Sequence, residues 1–382
     1  MPIYLDYAAT TPVCPEAAQA AYEVLTGNFG NPSSGYELGR QAAAALKGWR
    51  ADVASTVGCT PAELFFTSCG TEGDNWALRA AARAMRRRGD HIITTSVEHS
   101  AVLETARFLE GEGFRVTYLN PDKTGHISVD DFRAALCKET IAVSMMLVNN
   151  ETGAIFPVAE CVKAAKSYNK DILFHTDAVQ GFCHVPFTPK SLGVDLLTVS
   201  GHKIGAPKGI GALYIKKEVQ GKIKPLLFGG QQEDGRRPGT EPTAQIAAFA
   251  AACRTMKAQG PAAMEHARTI KEYALTRLQE QVPGLVVVSS GDAPHICAVS
   301  LPGYPSQMVM NDLDGRGICV SNGSACHKGK PSHVFAALGL PSDVLKGVLR
   351  ISFSPTSTRQ EVDALADALS QITRERMSIM KG

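Results

Sequence analysis

Leu196-Leu197-Thr198-Val199-Ser200-Gly201-His202-Lys203 is the stretch on which the fold turns. An apolar, β-branched run meets a glycine and ends in a lysine, which places an amine at the carboxyl end of a strand. To either side, runs 64–67, 91–95, 115–119, 141–148, 171–177 and 211–215 have the same β character. Between them, stretches such as 75–88 and 157–168 carry apolar residues at helical spacing, with Ala, Lys and Arg as helix formers. The alternation predicts an α/β fold, a mainly parallel seven-stranded sheet covered by helices.

The pattern changes after Thr243. An Ala-rich helix runs to about residue 257 and a second from about 262 to 281, followed by strands at 285–290, 296–301, 318–320 and 348–353, which read as a smaller α+β unit. The expected division is a large domain of residues 15–255 and a small one of residues 1–14 and 256–382. The glycine-rich run 229–239 reads as a site loop because Arg236, Arg237 and Glu241 crowd it with charge.

Composition bounds the function class. The 382 residues exceed what one ordinary domain holds, and 44% hydrophobic with 20% charged residues is usual for a globular enzyme. Lys and Arg total 39 against 37 Asp and Glu, and the basic triplet Arg86-Arg87-Arg88 reads as a solvated helix end, so no nucleic-acid partner is expected. The first residues lack the basic and apolar regions of a signal peptide, and no apolar run is long enough to cross a bilayer, so a cytoplasmic protein with no membrane partner is expected. Ten cysteines are scattered without a CxxC pair, which points to neither a disulfide framework nor a zinc module, and no metal is expected.

Three strand ends carry the chemistry. Lys203 offers an amine able to form a Schiff base. Asp177, closing the run 171–177, suits a pyridinium nitrogen, whose protonation makes a cofactor ring a better electron sink; alone it also reads as a helix cap. Thr67-Ser68-Cys69-Gly70-Thr71-Glu72 joins a strand to a helix, where Gly70 and Thr71 can offer N–H groups and a hydroxyl to a phosphate.

Together these segments resemble the cysteine desulfurases, class V members of the aspartate-aminotransferase-like fold, in the branch that serves iron–sulfur assembly and tRNA thiolation. The pieces stand in the family's order over nearly the whole chain: Tyr4-Leu5-Asp6-Tyr7-Ala8-Ala9-Thr10-Thr11, Gly30-Asn31-Pro32-Ser33-Ser34, Thr71-Glu72, Glu98-His99, Val148-Asn149-Asn150-Glu151, His175-Thr176-Asp177-Ala178-Val179-Gln180, Ser200-Gly201-His202-Lys203, Arg237-Pro238-Gly239-Thr240-Glu241 and Gly323-Ser324-Ala325-Cys326. The resemblance implies a fold-type I enzyme whose large domain binds pyridoxal 5'-phosphate on Lys203. His99 would stack on the ring and manage the substrate thiol's proton, Asp177 would meet the ring nitrogen, and Asn150 and Gln180 would lie near the phenolic oxygen. Gly70, Thr71, Ser200 and His202 would hold the phosphate, joined by Thr240 from the second subunit of a homodimer. Arg350, whose planar fork suits a carboxylate, would grip L-cysteine with help from Asn31.

Cys326 is the implied sulfur acceptor. It stands among small residues, glycines and cations in residues 321–330, a composition that reads as a loop, and Lys328, Lys330 and His327 favour its thiolate. The expected reaction turns L-cysteine into L-alanine, leaves a persulfide on Cys326 and delivers the sulfur to an acceptor protein. The chain departs from the family pattern at Tyr36, Cys69, Gly70 and Gln231. The stretch between Cys326 and Pro331 also looks about two residues shorter than usual, which subtracts about 7 Å of reach. A selenocysteine lyase, or another class V C–S lyase or aminotransferase, is the alternative reading.

Overall fold

The computed structural model describes residues 2–323 and 332–381. Its strands, in chain order, are β1 (Ile3–Tyr4), β2 (Leu64–Thr67), β3 (His91–Thr95), β4 (Arg115–Leu119), β5 (Thr140–Ser144), β6 (Leu173–Asp177), β7 (Leu196–Ser200), β8 (Gly211–Ile215), β9 (Val286–Ser289), β10 (Ile296–Ser300), β11 (Ile318–Cys319) and β12 (Val348–Ser352). The expected seven-stranded sheet forms in the order β2-β8-β7-β6-β5-β3-β4. Within it β8 runs antiparallel to both neighbours, and the other pairings are parallel. The run 141–148 leaves the regular ladder after Ser144, although Leu147 N–H still reaches the Asp177 carbonyl at 2.8 Å.

Strands β3, β5, β6, β7 and β8 are buried along their whole length, the pattern of a sheet covered on both faces. Edge strand β4 buries Leu119 and leaves Arg115 exposed. On one face the helix Gly70–Met85 seats Trp76 edge-on against Phe65, 6.1 Å between centroids. Elsewhere in the core Phe132 packs on Phe174 at 6.2 Å and Phe182 on Phe249 at 6.1 Å. Burying each such ring contributes about 1.5–3 kcal/mol.

A second core gathers around the antiparallel sheet β12-β10-β9, with Leu349, Ile351 and Phe353 against Leu365 and Leu369 of the helix Arg359–Lys381. Strand β11 does not join this sheet. It pairs in parallel with β1, because Ile3 and Leu5 donate to the carbonyls of Gly317 and Cys319 at 2.8 and 2.9 Å. That pairing, with a bridge from Asp6 to Ser352, draws the N-terminal segment under the end of the large sheet. The two expected helices lie end to end within Thr243–Gln281, separated by a kink at Gly260, where the backbone leaves the helical region and Pro261 cannot supply the helical N–H bond.

The strand order reverses between β5 and β3, and open α/β sheets bind ligands beyond the carboxyl ends of strands near such a switch.

Candidate active site

A cavity of about 380 Å³ opens at that edge. Gly70 follows β2, His99 follows β3, Asn150 follows β5, Asp177 ends β6, and Ser200 and Lys203 end and follow β7. All of them line the cavity, with Thr71, Gln180, His202 and Arg350.

Lys203 closes a single 3-10 turn after Gly201, and its Nζ donates to the carbonyls of Ala8 and Ala9 at 2.6 and 2.7 Å. Burial, with Arg350 adding to it, pushes its amine down to about 7, so an appreciable fraction is the neutral nucleophile near neutral pH. Gln180 Nε2 donates to the same Ala8 carbonyl at 2.8 Å.

A candidate phosphate cradle lies where the helix Gly70–Met85 begins. Among the described residues, the buried Ser200 Oγ has no hydrogen-bond partner, which leaves it able to bond a phosphate oxygen. A Cβ added to Gly70 would stand 2.9 Å from Val179 Cγ2 and 3.8 Å from Ser200 Cβ, so the glycine keeps the cradle open. Gly70 and Thr71 begin the helix Gly70–Met85, whose first-turn N–H groups favour an anion. The first-turn acid, Glu72, is turned aside: it accepts from Ser68 N–H at 2.7 Å and from Arg237 at 2.9 and 3.2 Å. A phosphate therefore fits these residues.

Asp177 accepts from Val179 N–H at 2.9 Å. Burial raises its carboxyl and that of Asp74, with Asp177 pushing Asp74 further up. Asp74 is thus the better proton holder, and His99 and Lys203 draw Asp177 back towards the anion that a ring nitrogen requires. His99 caps the helix Ser100–Gly111 by accepting Ala101 N–H at Nδ1, 3.1 Å, which puts its own ring hydrogen on Nε2. Arg350, 4% exposed, donates to the Asn150 carbonyl at 2.9 Å and to Asp6 Oδ1 at 2.6 Å. Its Nε has no partner among the described residues.

A family model described as aminotransferase class V matches residues 3–365. The chain belongs to that family. Within it, the chain is 41% identical to the cysteine desulfurase IscS of Methanosarcina thermophila, covering 98% of this chain and 92% of that one. It is 40% identical to the cysteine desulfurase IscS of Clostridium botulinum, strain Kyoto, covering 98% and 95%. A solved NifS-like protein superposes with a TM-score of 0.92 at 34% identity, over 98% of this chain and 100% of its own. The chain is thus a class V member with the cysteine desulfurases as relatives along nearly its whole length.

Two expected site residues lie elsewhere in the single chain. Asn31 is exposed, and its Oδ1 accepts from Ser33 N–H at 2.9 Å; Arg350 has Asp6 and the Asn150 carbonyl as partners instead. Thr240 is exposed on the loop that Arg237 ties to Glu72. Cys326 falls outside the described residues, which resume at Ser332; those preceding it reach Gly323.

Four acids of the cavity went without roles in the sequence reading: Asp6, Asp74, Glu98 and Glu151. All but Asp74 stand inside a quoted motif. Their place inside those motifs was the available signal for Asp6, Glu98 and Glu151.

Proposed function

We propose that the chain is a pyridoxal-phosphate-dependent cysteine desulfurase: it converts L-cysteine to L-alanine and leaves the sulfur as a persulfide on Cys326 for an acceptor protein. The observation that carries this reading is the shared cavity of a buried amine, Lys203, an unsatisfied cradle hydroxyl, Ser200, and a buried carboxylate-binding fork, Arg350. Relatives named cysteine desulfurase at about 40% identity support the same substrate.

Pyridoxal phosphate, when bound, supplies the electron sink. Ser200, His202, Gly70 and Thr71 would hold its phosphate, Asp177 its ring nitrogen and Lys203 its aldehyde carbon, with His99 over the ring and Asn150 and Gln180 near its phenolic oxygen. Arg350 would orient the substrate through its carboxylate. The Lys203 amine would be the base that moves the proton at the substrate Cα, a task its depressed basicity suits. Cys326, as thiolate, would receive the sulfur, with the cations Lys328 and Lys330 nearby in sequence.

The reading includes a homodimer. Tyr22, Leu25, Phe29, Tyr36 and Phe228 are between 60% and 91% exposed, an apolar set that asks for cover. Asn31 lies between Phe29 and Tyr36 in sequence, and Thr240 shares its loop with Phe228, so a partner seated there would bring both to a site. Residues 15–255 would carry the cofactor, while residues 1–14 and 256–382 would carry Arg350 and Cys326. No helix of the described residues is long and apolar enough to cross a membrane, which fits a cytoplasmic enzyme.

Cys326→Ala tests the assignment. It is expected to abolish alanine and persulfide formation from L-cysteine while leaving the bound cofactor's visible absorbance intact. Undiminished turnover would overturn it.

A further inference from the structure

Two buried histidines join the turn that carries Lys203 to the sheet that carries Arg350. His184 follows β6 in the chain, and its Nε2 lies 3.3 Å from the Lys203 carbonyl. A carbonyl only accepts, so Nε2 carries the hydrogen and donates it. His295 immediately precedes β10, its own carbonyl accepts Phe353 N–H at 2.9 Å, and Ala298 of β10 pairs with Arg350 of β12. The two imidazoles stack, with 4.0 Å between ring centroids and 18° between planes.

Neither ring lines the cavity, and they are 8% and 2% exposed, so their part is not contact with a substrate. Among the described residues no hydrogen bond reaches either ring nitrogen of His295, so the stack is what orients that ring. The pair is not built to share a metal ion. Near-parallel planes this far apart do not let both rings aim an in-plane lone pair at one ion about 2.0–2.1 Å from each.

Both rings are mounted on fixed backbone. Cys183, just before His184, has φ +61°, in the left-handed region that a residue with a Cβ adopts when its surroundings compel it. His184 N–H then donates to the Gly181 carbonyl at 2.9 Å. On the other side Lys271 Nζ holds the loop before His295, donating to the carbonyls of Gly291 and Ala293 at 2.6 and 2.7 Å. The stack is also uncharged at neutral pH. Burial lowers His184 to about 4 despite its bond to the Lys203 carbonyl. Burial, with the charges of His184, Lys271, Arg350 and Lys203, takes His295 well below its ordinary value.

We propose that His184 and His295 are positioning residues whose stack sets the spacing between Lys203 and Arg350; this rests on the roles given to those two residues in the desulfurase reading above. Arg350 and Ala293 N–H reach the carbonyls of Asn150 and Gly153, in the segment after β5, whereas the stack reaches the turn after β7. An amino acid held by its carboxylate on Arg350 with its Cα near the Lys203 amine fits one spacing of the two. That fit is needed before and during the reaction, so a wrong spacing is read in KM more than in kcat.

The test measures kcat and KM for alanine release from L-cysteine with the holoenzymes of wild type, His295→Ala, His295→Leu, His295→Phe and His184→Phe, bound cofactor being counted by its absorbance. His295→Ala and His295→Leu remove the flat face, Leu while filling the space. Both are expected to raise KM about 10-fold, with kcat per bound cofactor within about threefold of wild type. His295→Phe restores a flat ring and should recover most of that loss. His184→Phe keeps a ring in the stack but loses the bond to the Lys203 carbonyl, and should move the pH midpoint of the bound cofactor's absorbance by about half a unit or more. Loss of stability alone would lower the loaded fraction and leave KM as it is. A wild-type KM in His295→Leu, a His295→Phe no better than His295→Leu, or an unmoved midpoint in His184→Phe overturns the inference. If wild type itself yields no alanine, the desulfurase reading falls and takes this one with it; wild-type turnover with an unaltered KM in His295→Leu overturns this inference alone.

Discussion

Glu98, next to His99 in the chain, is buried completely, and burial lifts its carboxyl to about 8 despite the hydrogen bonds it accepts from Met146 and Thr95. A carboxyl whose folded pKa lies above its unfolded value keeps its proton longer in the folded state. Between its ordinary value of 4.5 and about 8 the folded chain therefore binds more protons than the unfolded one, and stability falls as pH rises through that window. Glu98→Gln removes the titration. Urea unfolding of the variant is expected to show a shallower decline across that range than wild type, and an identical pH dependence would contradict the assignment. The same physics, burial outweighing the opposing charges of Asp6 and Asp177 at Lys203 and of Arg350 at Glu151, brings both groups to about 7.

At the scale of elements, the turn between β2 and the helix Gly70–Met85 would serve as the proposed phosphate cradle because Gly70 has no side chain to press on Val179. Gly70→Val should weaken cofactor binding about 10-fold, ~1.4 kcal/mol, in an absorbance titration, with the fold retained because the obstruction is the end of one side chain. An unchanged affinity would place the phosphate elsewhere. Such strand-end residues were legible in the sequence because their positions follow from local pattern: Leu196–Ser200 reads as a buried strand, so Lys203 must emerge at its carboxyl end. The pairing of β1 with β11 was not legible, since short strands far apart in the chain carry no periodicity that names a partner. For that reason Asp6 and the Ala8 carbonyl, which β1 brings beneath Arg350 and Lys203, stood in a quoted motif without a role. Asn31 illustrates the converse, a motif position whose single-chain surroundings do not include the guanidinium it was expected to assist.

For the whole molecule, the proposed homodimer would complete each site with Thr240 and Asn31, both of which are exposed in the single chain. A chain carrying Lys203→Ala and another carrying Thr240→Asp should each be inactive. Unfolded together and refolded, they should regain about a quarter of wild-type activity, because half the dimers are mixed and each holds one intact site. A mixture that stays inactive would contradict the sharing. The central claim, that sulfur passes from L-cysteine held over Lys203 to Cys326, has a more direct measurement. The holoenzyme is given L-cysteine without an acceptor, and alanine is counted against persulfide located by peptide mass. The account predicts equal amounts of alanine and of persulfide on the peptide containing Cys326 in the first turnover. Alanine formed with the Cys326 peptide unmodified would contradict it.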